Sequence, residues 1–261
     1  MKPLNTSSTP KADGLVAIRS AVFFLGMTIA TLVVAPLILL AKPFAFATRY
    51  RIAQGWVKFN LWSLKTVCGL SHTVEGRENI PDRCAVILSK HQSAWETIAL
   101  QAIFPPMAFI LKRELLKIPF WGWAMAALEP IAIDRAAKTA ALKQVLRDGE
   151  ARLQAGRWVV IFPEGTRVAP GKRGRYNASG GLLASRVGCP VVPVAHNAGE
   201  FWRRNAFMKF PGVIKVSIGP AIDAAQLSAA EVNKLAEDWI EAKMAEISSV
   251  GTEAAASHEV E

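Results

Sequence analysis

His91 and Glu96 are the first residues along the chain whose types and spacing could do chemistry. They follow the apolar run 85–88, which predicts a buried strand. Open α/β sheets place their reacting side chains just beyond the carboxyl ends of strands. A carboxylate that accepts a hydrogen bond from one imidazole nitrogen leaves the other nitrogen free to take a proton from a hydroxyl group. The pair therefore predicts a histidine general base with an orienting carboxylate.

The spacing of this pair restricts how it can work. Two residues five positions apart on one α-helix point about 140° away from each other. The side chains can meet only if His91 lies in the turn before a helix and Glu96 lies in its first turn. The same stretch is also a capping box, because Ser93-x-x-Glu96 lets the glutamate accept a hydrogen bond from a backbone N–H at the start of a helix. This stretch alone supports the two interpretations equally.

A second group of candidate residues follows another apolar run, 158–162. Its members are Glu164, Gly165, Thr166 and Arg167. They offer a carboxylate, a hydroxyl and a guanidinium, and an arginine can hold a phosphate through two parallel hydrogen bonds. The group predicts an anion-binding turn at the carboxyl end of a strand.

Basic residues occur at two further places where a phosphate could bind. Lys112 and Arg113 follow a predicted strand and precede an apolar stretch. The loop after residue 167 contains glycine and proline and carries Lys172, Arg173 and Arg175. Each set is either a phosphate contact or ordinary solvated surface charge, and the second alternative is the commoner one for such runs.

The elements that would position these residues alternate along the chain after residue 69. Short apolar runs predict strands at 72–74, 84–88, 108–111, 130–133, 158–162, 191–194 and 213–218. Helices are predicted from about residue 93 and over 116–128, 136–155, 178–186 and 228–247. Several strands are apolar throughout, as expected for strands covered on both faces. This pattern predicts an α/β layered sandwich with a mostly parallel central sheet flanked by helices.

The N-terminal part of the chain has a different character. No charged residue occurs in 20–41, and this run is long enough to cross a bilayer as a helix. A buried helix of a soluble protein is one alternative, and a signal peptide, with Ala45-Phe46-Ala47 resembling a cleavage site, is another. Basic residues flank the run almost evenly, a balance that a re-entrant helical hairpin would also give. Residues 50–70 mix aromatic with basic residues, which suits a helix at the lipid headgroups or an amphipathic helix packed on the domain.

Composition limits the classes of partner. The chain of 261 residues carries a formal net charge of +10, and a basic surface favours anionic partners. The long apolar run favours acidic lipids over nucleic acid, for which no recognition motif is present. The three cysteines, Cys68, Cys84 and Cys189, are widely spaced in apolar surroundings. They predict reduced core residues of a cytosolic domain, with no disulfide framework or metal site.

Four motifs occur in the order in which one enzyme family has them. They are His91-Gln-Ser-Ala-Trp-Glu96, Lys112-Arg113-Glu114 through Ile118-Pro119-Phe120 to Gly122, Phe162-Pro163-Glu164-Gly165-Thr166-Arg167, and Val192-Pro193-Val194. On these motifs the chain resembles the glycerolipid acyltransferases of the 1-acylglycerol-3-phosphate (lysophosphatidic acid) acyltransferase type. The resemblance extends over most of residues 70–220.

The resemblance implies a reaction and roles. His91 would be the general base that deprotonates the free glycerol hydroxyl, and that oxygen would attack the thioester of an acyl-CoA or acyl-carrier protein without a covalent acyl-enzyme. Glu96 would orient His91 and stabilise its imidazolium. Arg167, with Lys112 or Arg113, would hold the phosphate of the acceptor. The residues that shape this pocket would be Glu164, Gly165 and Thr166.

The resemblance also implies an organisation. No metal or organic cofactor is expected, and the partners would be lysophosphatidic acid, the membrane and the acyl carrier. Residues 1–14 and 248–261 are predicted to be disordered. Residues 15–70 would form a membrane-embedded or interfacial helical hairpin, and residues 71–247 the α/β acyltransferase domain. In a bacterium the enzyme would lie at the cytoplasmic membrane with its catalytic domain facing the cytoplasm.

The chain departs from the family pattern at one catalytic position. The family's first motif is His-x4-Asp, whereas this chain has Glu96. The extra methylene moves the carboxylate by roughly 1.5 Å, which a rotamer change can absorb. A displacement of about 1 Å at a catalytic group can nevertheless be costly. The alternatives are acyl transfer to another lyso-lipid and a catalytically weak, membrane-docked lipid-binding protein in which His91 and Glu96 only cap a helix.

Overall fold

A seven-stranded sheet forms the centre of the protein, whose computed structural model describes residues 13–250. The strands are β1 Leu70–Glu75, β2 Val86–Ser89, β3 Met107–Lys112, β4 Ile131–Ile133, β5 Trp158–Ile161, β6 Val191–His196 and β7 Gly212–Ile218. Their order across the sheet is β1-β7-β6-β2-β5-β3-β4. Neighbouring strands are parallel except for β6 and β7. The seven predicted strands and the mostly parallel sheet are confirmed.

The helices follow the predicted alternation with two differences. They are α1 Gly14–Leu40, α2 Phe46–Val67, α3 Trp95–Ile103, α4 Trp121–Ala127, α5 Lys138–Gln154, α6 Ser179–Val187, α7 Ala198–Phe201 and α8 Ala229–Ile247. The predicted helix over 116–128 is wrong in extent, because Arg113–Lys117 is a 3₁₀ turn and Ile118 is extended. Pro119 explains this break, since proline lacks an N–H and disfavours a helical residue before it. The four residues of α7 are too few to show a periodic pattern in the sequence.

Alternating side chains of the central strands face two different helical layers. Ile87 and Val160 pack in the core shared with α1, α2 and α3. Val86 and Leu88 pack in the core shared with α5, α6 and α8. Both faces of the sheet are therefore covered, and every residue of β2, β5 and β6 is buried. This arrangement leaves the carboxyl ends of the strands as the accessible edge at which β2 and β5 deliver their loops.

The first two helices form an antiparallel hairpin. Gly26 of α1 faces Phe59 of α2, and nearer the connecting turn Trp56 Nε1 donates to Thr31 Oγ1 over 2.9 Å. One face of α1 packs on the domain, where Phe23 is fully buried with its ring centroid 5.7 Å from that of Trp202. The opposite face is exposed and apolar, and it carries Ile18, Val22, Leu25, Ile29, Leu32 and Leu40.

Among residues 13–250, α1 is the one helix long and apolar enough to cross a membrane. Core helices of soluble proteins and signal sequences share this length and composition, so the property alone is weak evidence for a span. The packed face of α1 and its exposed apolar face are the more informative observation. They show a helix that the domain covers on one side only.

The predicted disordered termini lie mostly outside the described residues. At the first boundary, Asp13 caps α1 by accepting a hydrogen bond from Val16 N over 2.8 Å. At the second, Ser248 Oγ donates to Glu200 Oε1 over 2.7 Å, so residues 248–250 belong to the folded domain and not to a disordered tail. The three cysteines are free thiols, as predicted, although Cys84 is only half-buried.

Candidate active site

His91 and Glu96 meet in the turn between β2 and α3. β2 ends at Ser89 and α3 begins at Trp95, so His91 precedes the helix and Glu96 lies in its first turn. The distance from His91 Nδ1 to Glu96 Oε1 is 2.8 Å. This is the arrangement that the five-residue spacing required, and the structure brings the predicted pair together.

Glu96 also caps the turn that holds the histidine. Its Oε1 accepts hydrogen bonds from Gln92 N over 3.0 Å and from Ser93 N over 2.8 Å. Ser93 Oγ accepts from Trp95 N, and Ala94 is the residue at the N-cap of α3. The glutamate half of the predicted capping box is therefore formed, and the same oxygen contacts the imidazole. Capping and orientation coexist in one side chain.

The electrostatic surroundings keep Glu96 ionised. Its side chain is fully buried, and burial raises the pKa of a carboxyl group. The nearby imidazoles of His196 and His91 and the hydrogen bond from Ser93 N lower the pKa, and the net shift is downward. Burial also lowers the pKa of the His196 imidazole. The buried carboxylate of Glu96 therefore stays ionised through its polar neighbours, the imidazoles of His196 and His91 and the N–H of Ser93.

His196 supports the backbone next to His91. Its Nε2 lies 2.8 Å from the carbonyl oxygen of Lys90, and its Nδ1 accepts from Ala198 N over 3.3 Å. The proton is therefore on Nε2, which donates to Lys90 O. These two contacts give His196 a supporting role for the backbone on both sides.

The imidazole of His91 is held from its face as well as from its edge. The Phe162 ring stacks on it with centroids 4.0 Å apart and an angle of 14° between the planes. Glu96 occupies Nδ1, so within the described residues Nε2 is the ring nitrogen left free to accept a proton. His91 lines a cavity of about 560 Å³. The free nitrogen thus belongs to a side chain that a bound substrate could contact.

The cavity around His91 is rich in cations. Its polar and charged lining residues include His91, Lys112, Thr166, Arg167 and Arg204. No aspartate or glutamate occurs among the lining residues in the described part of the chain. The Nε of Arg167 is buried and has no hydrogen-bond partner within residues 13–250. A cavity of this charge favours an anionic ligand.

Three of the predicted binding residues do not line the cavity of His91. Arg113 Nη2 donates to Gln144 Oε1 over 3.2 Å, and Arg113 does not line the cavity. Glu164 is buried 2.7 Å from Lys90 Nζ and accepts a hydrogen bond from His91 N over 3.1 Å. Gly165, with φ +67°, lines a neighbouring cavity. The structure therefore brings Lys112, Thr166 and Arg167 to His91, while Glu164 contacts the protein itself.

Two residues near the site had not been predicted from the sequence. Lys90 is fully buried and its Nζ also lies 2.9 Å from Glu241 Oε1. A lysine at the end of an otherwise apolar run was the available signal for it. Arg204 lines the cavity, but it lies outside the four motifs and only its charge distinguished it.

Comparisons with known proteins agree with this geometry. A protein-family model described as Acyltransferase matches residues 71–197. The 1-acyl-sn-glycerol-3-phosphate acyltransferase of Pseudomonas aeruginosa is 46% identical to this chain over 90% of its length and 93% of the relative's. The chain belongs to the 1-acyl-sn-glycerol-3-phosphate acyltransferase family.

More distant members of the acyltransferase family are also similar. The 1-acyl-sn-glycerol-3-phosphate acyltransferase of Borreliella burgdorferi is 28% identical over 69% of this chain and 71% of its own length. The crystal structure of the 1-acyl-sn-glycerophosphate (LPA) acyltransferase PlsC from Thermotoga maritima superposes with a TM-score of 0.68 at 24% identity. The match covers 89% of this chain and 94% of that one, which shows the same fold.

Family membership confirms the enzyme class that the motifs predicted. The chain is an acyltransferase of phospholipid biosynthesis. This finding supports the enzymatic interpretation of His91 and Glu96 over the alternative of a lipid-binding protein without activity. The geometry adds a histidine with one free nitrogen in the wall of a cavity that Lys112, Arg167 and Arg204 also line.

Proposed function

We propose that the enzyme transfers a fatty acyl group from acyl-CoA or acyl-carrier protein to the free hydroxyl of 1-acylglycerol-3-phosphate, which gives phosphatidic acid. The observation that carries this proposal is the 2.8 Å contact between His91 and Glu96 in the wall of a cavity that Arg167 also lines. A base for the hydroxyl and a cation for the phosphate are the two groups that this acceptor needs. The names of the relatives supply the acceptor.

The proposed chemistry assigns one proton to His91 Nε2. The hydroxyl of the acceptor gives its proton to this nitrogen while its oxygen attacks the thioester carbonyl carbon. When the tetrahedral intermediate collapses, the C–S bond breaks and the thiolate takes the proton from the imidazolium. Ionised Glu96 stabilises the imidazolium through Nδ1 in the meantime. The acyl group moves directly to the acceptor, and His91 ends neutral.

A smaller apolar cavity offers a place for the acyl chain. It adjoins the catalytic cavity, with which it shares Trp56, Gln101, Trp121 and Met125. Its remaining lining comes chiefly from the facing sides of α1, α2 and α4. This space between the helical hairpin and the domain has a volume of about 50 Å³, and we assign to it the part of the thioester's acyl chain nearest the reacting carbonyl.

We also propose that the helical hairpin lies in the membrane without crossing it. One face of α1 packs on the domain along its length, so a perpendicular span would pull the domain into the bilayer. A helix that lies along the bilayer would bury its exposed apolar face in lipid and keep its packed face. In a bacterium this places the enzyme at the cytoplasmic membrane with the catalytic domain towards the cytoplasm.

The substitution His91→Ala tests the proposed reaction. Purified enzyme is given labelled acyl-CoA and lysophosphatidic acid, and turnover by the variant should fall by about 10²- to 10⁴-fold, the usual contribution of a general base. His72→Gln is the matched control, because His72 contacts Trp95 but does not line the cavity. Equal turnover by wild type and His91→Ala would contradict the proposal. A panel of other lyso-lipids with the wild type tests the acceptor.

A further inference from the structure

The loop between α7 and β7 forms one wall of the catalytic cavity. Arg204 and Asn205 of this loop line the cavity together with His91, Thr166 and Arg167. None of the four sequence motifs includes the loop. It therefore contributes a wall that the motifs do not account for.

The contacts of Arg204 place it beside Arg167. Its Nη1 donates a hydrogen bond to the backbone oxygen of Arg167 over 3.2 Å. The next residue, Asn205, has φ +56°, a left-handed conformation that asparagine tolerates better than most residues. The turn at Asn205 and the hydrogen bond to the β5–α6 loop together hold Arg204 at the cavity. Two guanidinium groups from different loops thus line one space.

The charges around this space are unbalanced. Lys112, Arg167 and Arg204 line it, and the lining residues include no carboxylate within the described chain. Lys112 lies 3.7 Å from Glu114, with both side chains about half exposed, so part of its charge is already neutralised. A phosphate monoester carries about −1.5 to −2 charges at pH 7. One arginine leaves much of that charge uncompensated, whereas two can bind its oxygens through several charge-assisted hydrogen bonds.

We propose that Arg204 is the second guanidinium that binds the phosphate of the acceptor lipid and that it selects a phosphate-bearing acceptor over a neutral one. This inference rests on the proposed function. Arg167 provides one side of the phosphate site and Arg204 the other. The interaction is with a group remote from the reacting hydroxyl, so it contributes to acceptor binding more than to the chemical step.

The substitution Arg204→Ala tests the inference in the full-length enzyme. With acyl-CoA as donor, the KM for 1-acylglycerol-3-phosphate should rise by about 10- to 100-fold. This is the gain in affinity that hydrogen bonds to a charged group usually contribute. The kcat and the KM for acyl-CoA should stay within about two-fold. A 1-monoacylglycerol with the same acyl chain, which lacks the phosphate, should be used equally well by wild type and variant. Arg204→Lys should restore part of the lost affinity, because lysine keeps the charge without the planar fork.

Arg203→Ala is the matched control. It removes the same charge from the preceding, equally exposed position. Arg203 does not line the catalytic cavity but a neighbouring one, which shares Arg167 and Asn205 with it. Its KM for the phosphate-bearing acceptor should change by less than about three-fold. Far-ultraviolet circular dichroism and the thermal midpoint show that each variant is folded.

The outcomes separate this inference from the function on which it rests. A KM for 1-acylglycerol-3-phosphate that is unchanged in folded Arg204→Ala would overturn the inference and leave the proposed function standing. An equal rise in the KM for monoacylglycerol, or an equal effect of Arg203→Ala, would overturn it as well. Failure of the wild type to acylate 1-acylglycerol-3-phosphate would instead overturn the proposed function.

Discussion

Glu96 binds three hydrogen-bond donors through a single oxygen. His91 Nδ1, Gln92 N and Ser93 N all contact Oε1, while Oε2 is buried and has no partner within residues 13–250. The longer side chain, where the family has aspartate, therefore reaches the imidazole without losing the backbone contacts. The departure from the family motif is compatible with a properly oriented base.

The substitution Glu96→Gln separates the two tasks of this side chain. Glutamine keeps an Oε1 that can accept from Gln92 N and Ser93 N, but it removes the negative charge that stabilises the imidazolium. We expect kcat to fall by about 10²- to 10⁴-fold while the circular dichroism spectrum is unchanged. Steady-state kinetics of the purified variant provides the measurement.

Glu96→Asp is the companion variant for this prediction. It keeps the charge and shortens the side chain by about 1.5 Å, which a rotamer change can absorb. We expect it to keep activity within about ten-fold of the wild type, because a steering carboxylate is still present. If Glu96→Gln were as active as the wild type, Glu96 would be a helix cap and nothing more.

Acid should remove part of the stability that Glu96 provides. The pKa of Glu96 is lower in the folded protein than its ordinary value, so the ionised carboxylate stabilises the fold above about pH 4.3. This stabilisation is lost as the pH falls through the lower folded-state pKa. The thermal midpoint of the wild type should therefore exceed that of Glu96→Gln most at pH 7, and the difference should shrink below about pH 4. A difference that grows on acidification would contradict this assignment.

At the scale of single residues, the sequence predicted what depends on local spacing. The distance of five positions between His91 and Glu96 allowed one productive geometry, and the structure has it. The stacking of Phe162 on His91 and the turn of Arg113 towards Gln144 depend on which elements become neighbours. Local sequence spacing does not encode either contact, so the sequence could not predict them.

A buried ionic cluster connects the strand ends to the C-terminal helix. Lys90 follows β2, Glu164 follows β5 and Glu241 belongs to α8, and Lys90 Nζ contacts both carboxylates. Glu164 also accepts from His91 N over 3.1 Å. The cluster thereby fixes the backbone of His91 relative to two strands and one helix.

Glu164→Gln should lower stability and not acceptor affinity. The change leaves Lys90 buried with one remaining carboxylate, and breaking a buried ion pair costs about 3 kcal/mol. We expect this loss in denaturant unfolding, with an unchanged KM for the acceptor in the folded enzyme. Glu241→Gln should cost less, because its side chain is 13% exposed whereas that of Glu164 is fully buried. A raised KM without any loss of stability would show instead that Glu164 contacts the substrate, as the motif resemblance implied.

At the scale of elements, continuous apolar runs identified the strands because the sheet is covered on both faces. The predicted helix over 116–128 is formed only from Trp121 to Ala127, because Pro119 interrupts the run. Proline disfavours the helical conformation at residue 118, so the helix begins only beyond Pro119. Apolar runs do not encode the order of the strands across the sheet or the antiparallel direction of β7 relative to β6. Both depend on tertiary contacts.

At the scale of the whole molecule, two helices that pack together, α1 and α4, both expose large apolar side chains. The outer face of α1 exposes Leu25, Ile29 and Leu32, and α4, which packs on α1, exposes Trp123. The ring of Phe120 lies 5.6 Å from that of Trp123 and is also exposed. Exposed apolar side chains of this size support the membrane contact that we propose for the hairpin.

Replacing Leu25, Ile29 and Leu32 by serine should weaken membrane association without unfolding the domain. Each buried leucine contributes about 1.5–3 kcal/mol, so the triple variant should bind vesicles at least about 10-fold more weakly. Co-sedimentation with vesicles that contain acidic phospholipid measures the effect. Leu235→Ser on α8, which is exposed to a similar degree, should bind like the wild type. Unchanged binding by the triple variant would exclude this face of α1 as the anchor.

The pairing of β1 has a consequence for how the protein is made. β1 follows the helical hairpin directly in the chain, yet it lies at the sheet edge with β7 as its neighbour, and Leu70 pairs with Gly212. A ribosome that adds ~5–20 residues per second needs on the order of ten seconds to travel from one strand to the other. During that interval the hairpin is complete but its adjoining strand has no partner. Biosynthesis therefore orders the steps: the hairpin is complete first, and β1 gains its neighbour in the sheet only after β7 has been translated.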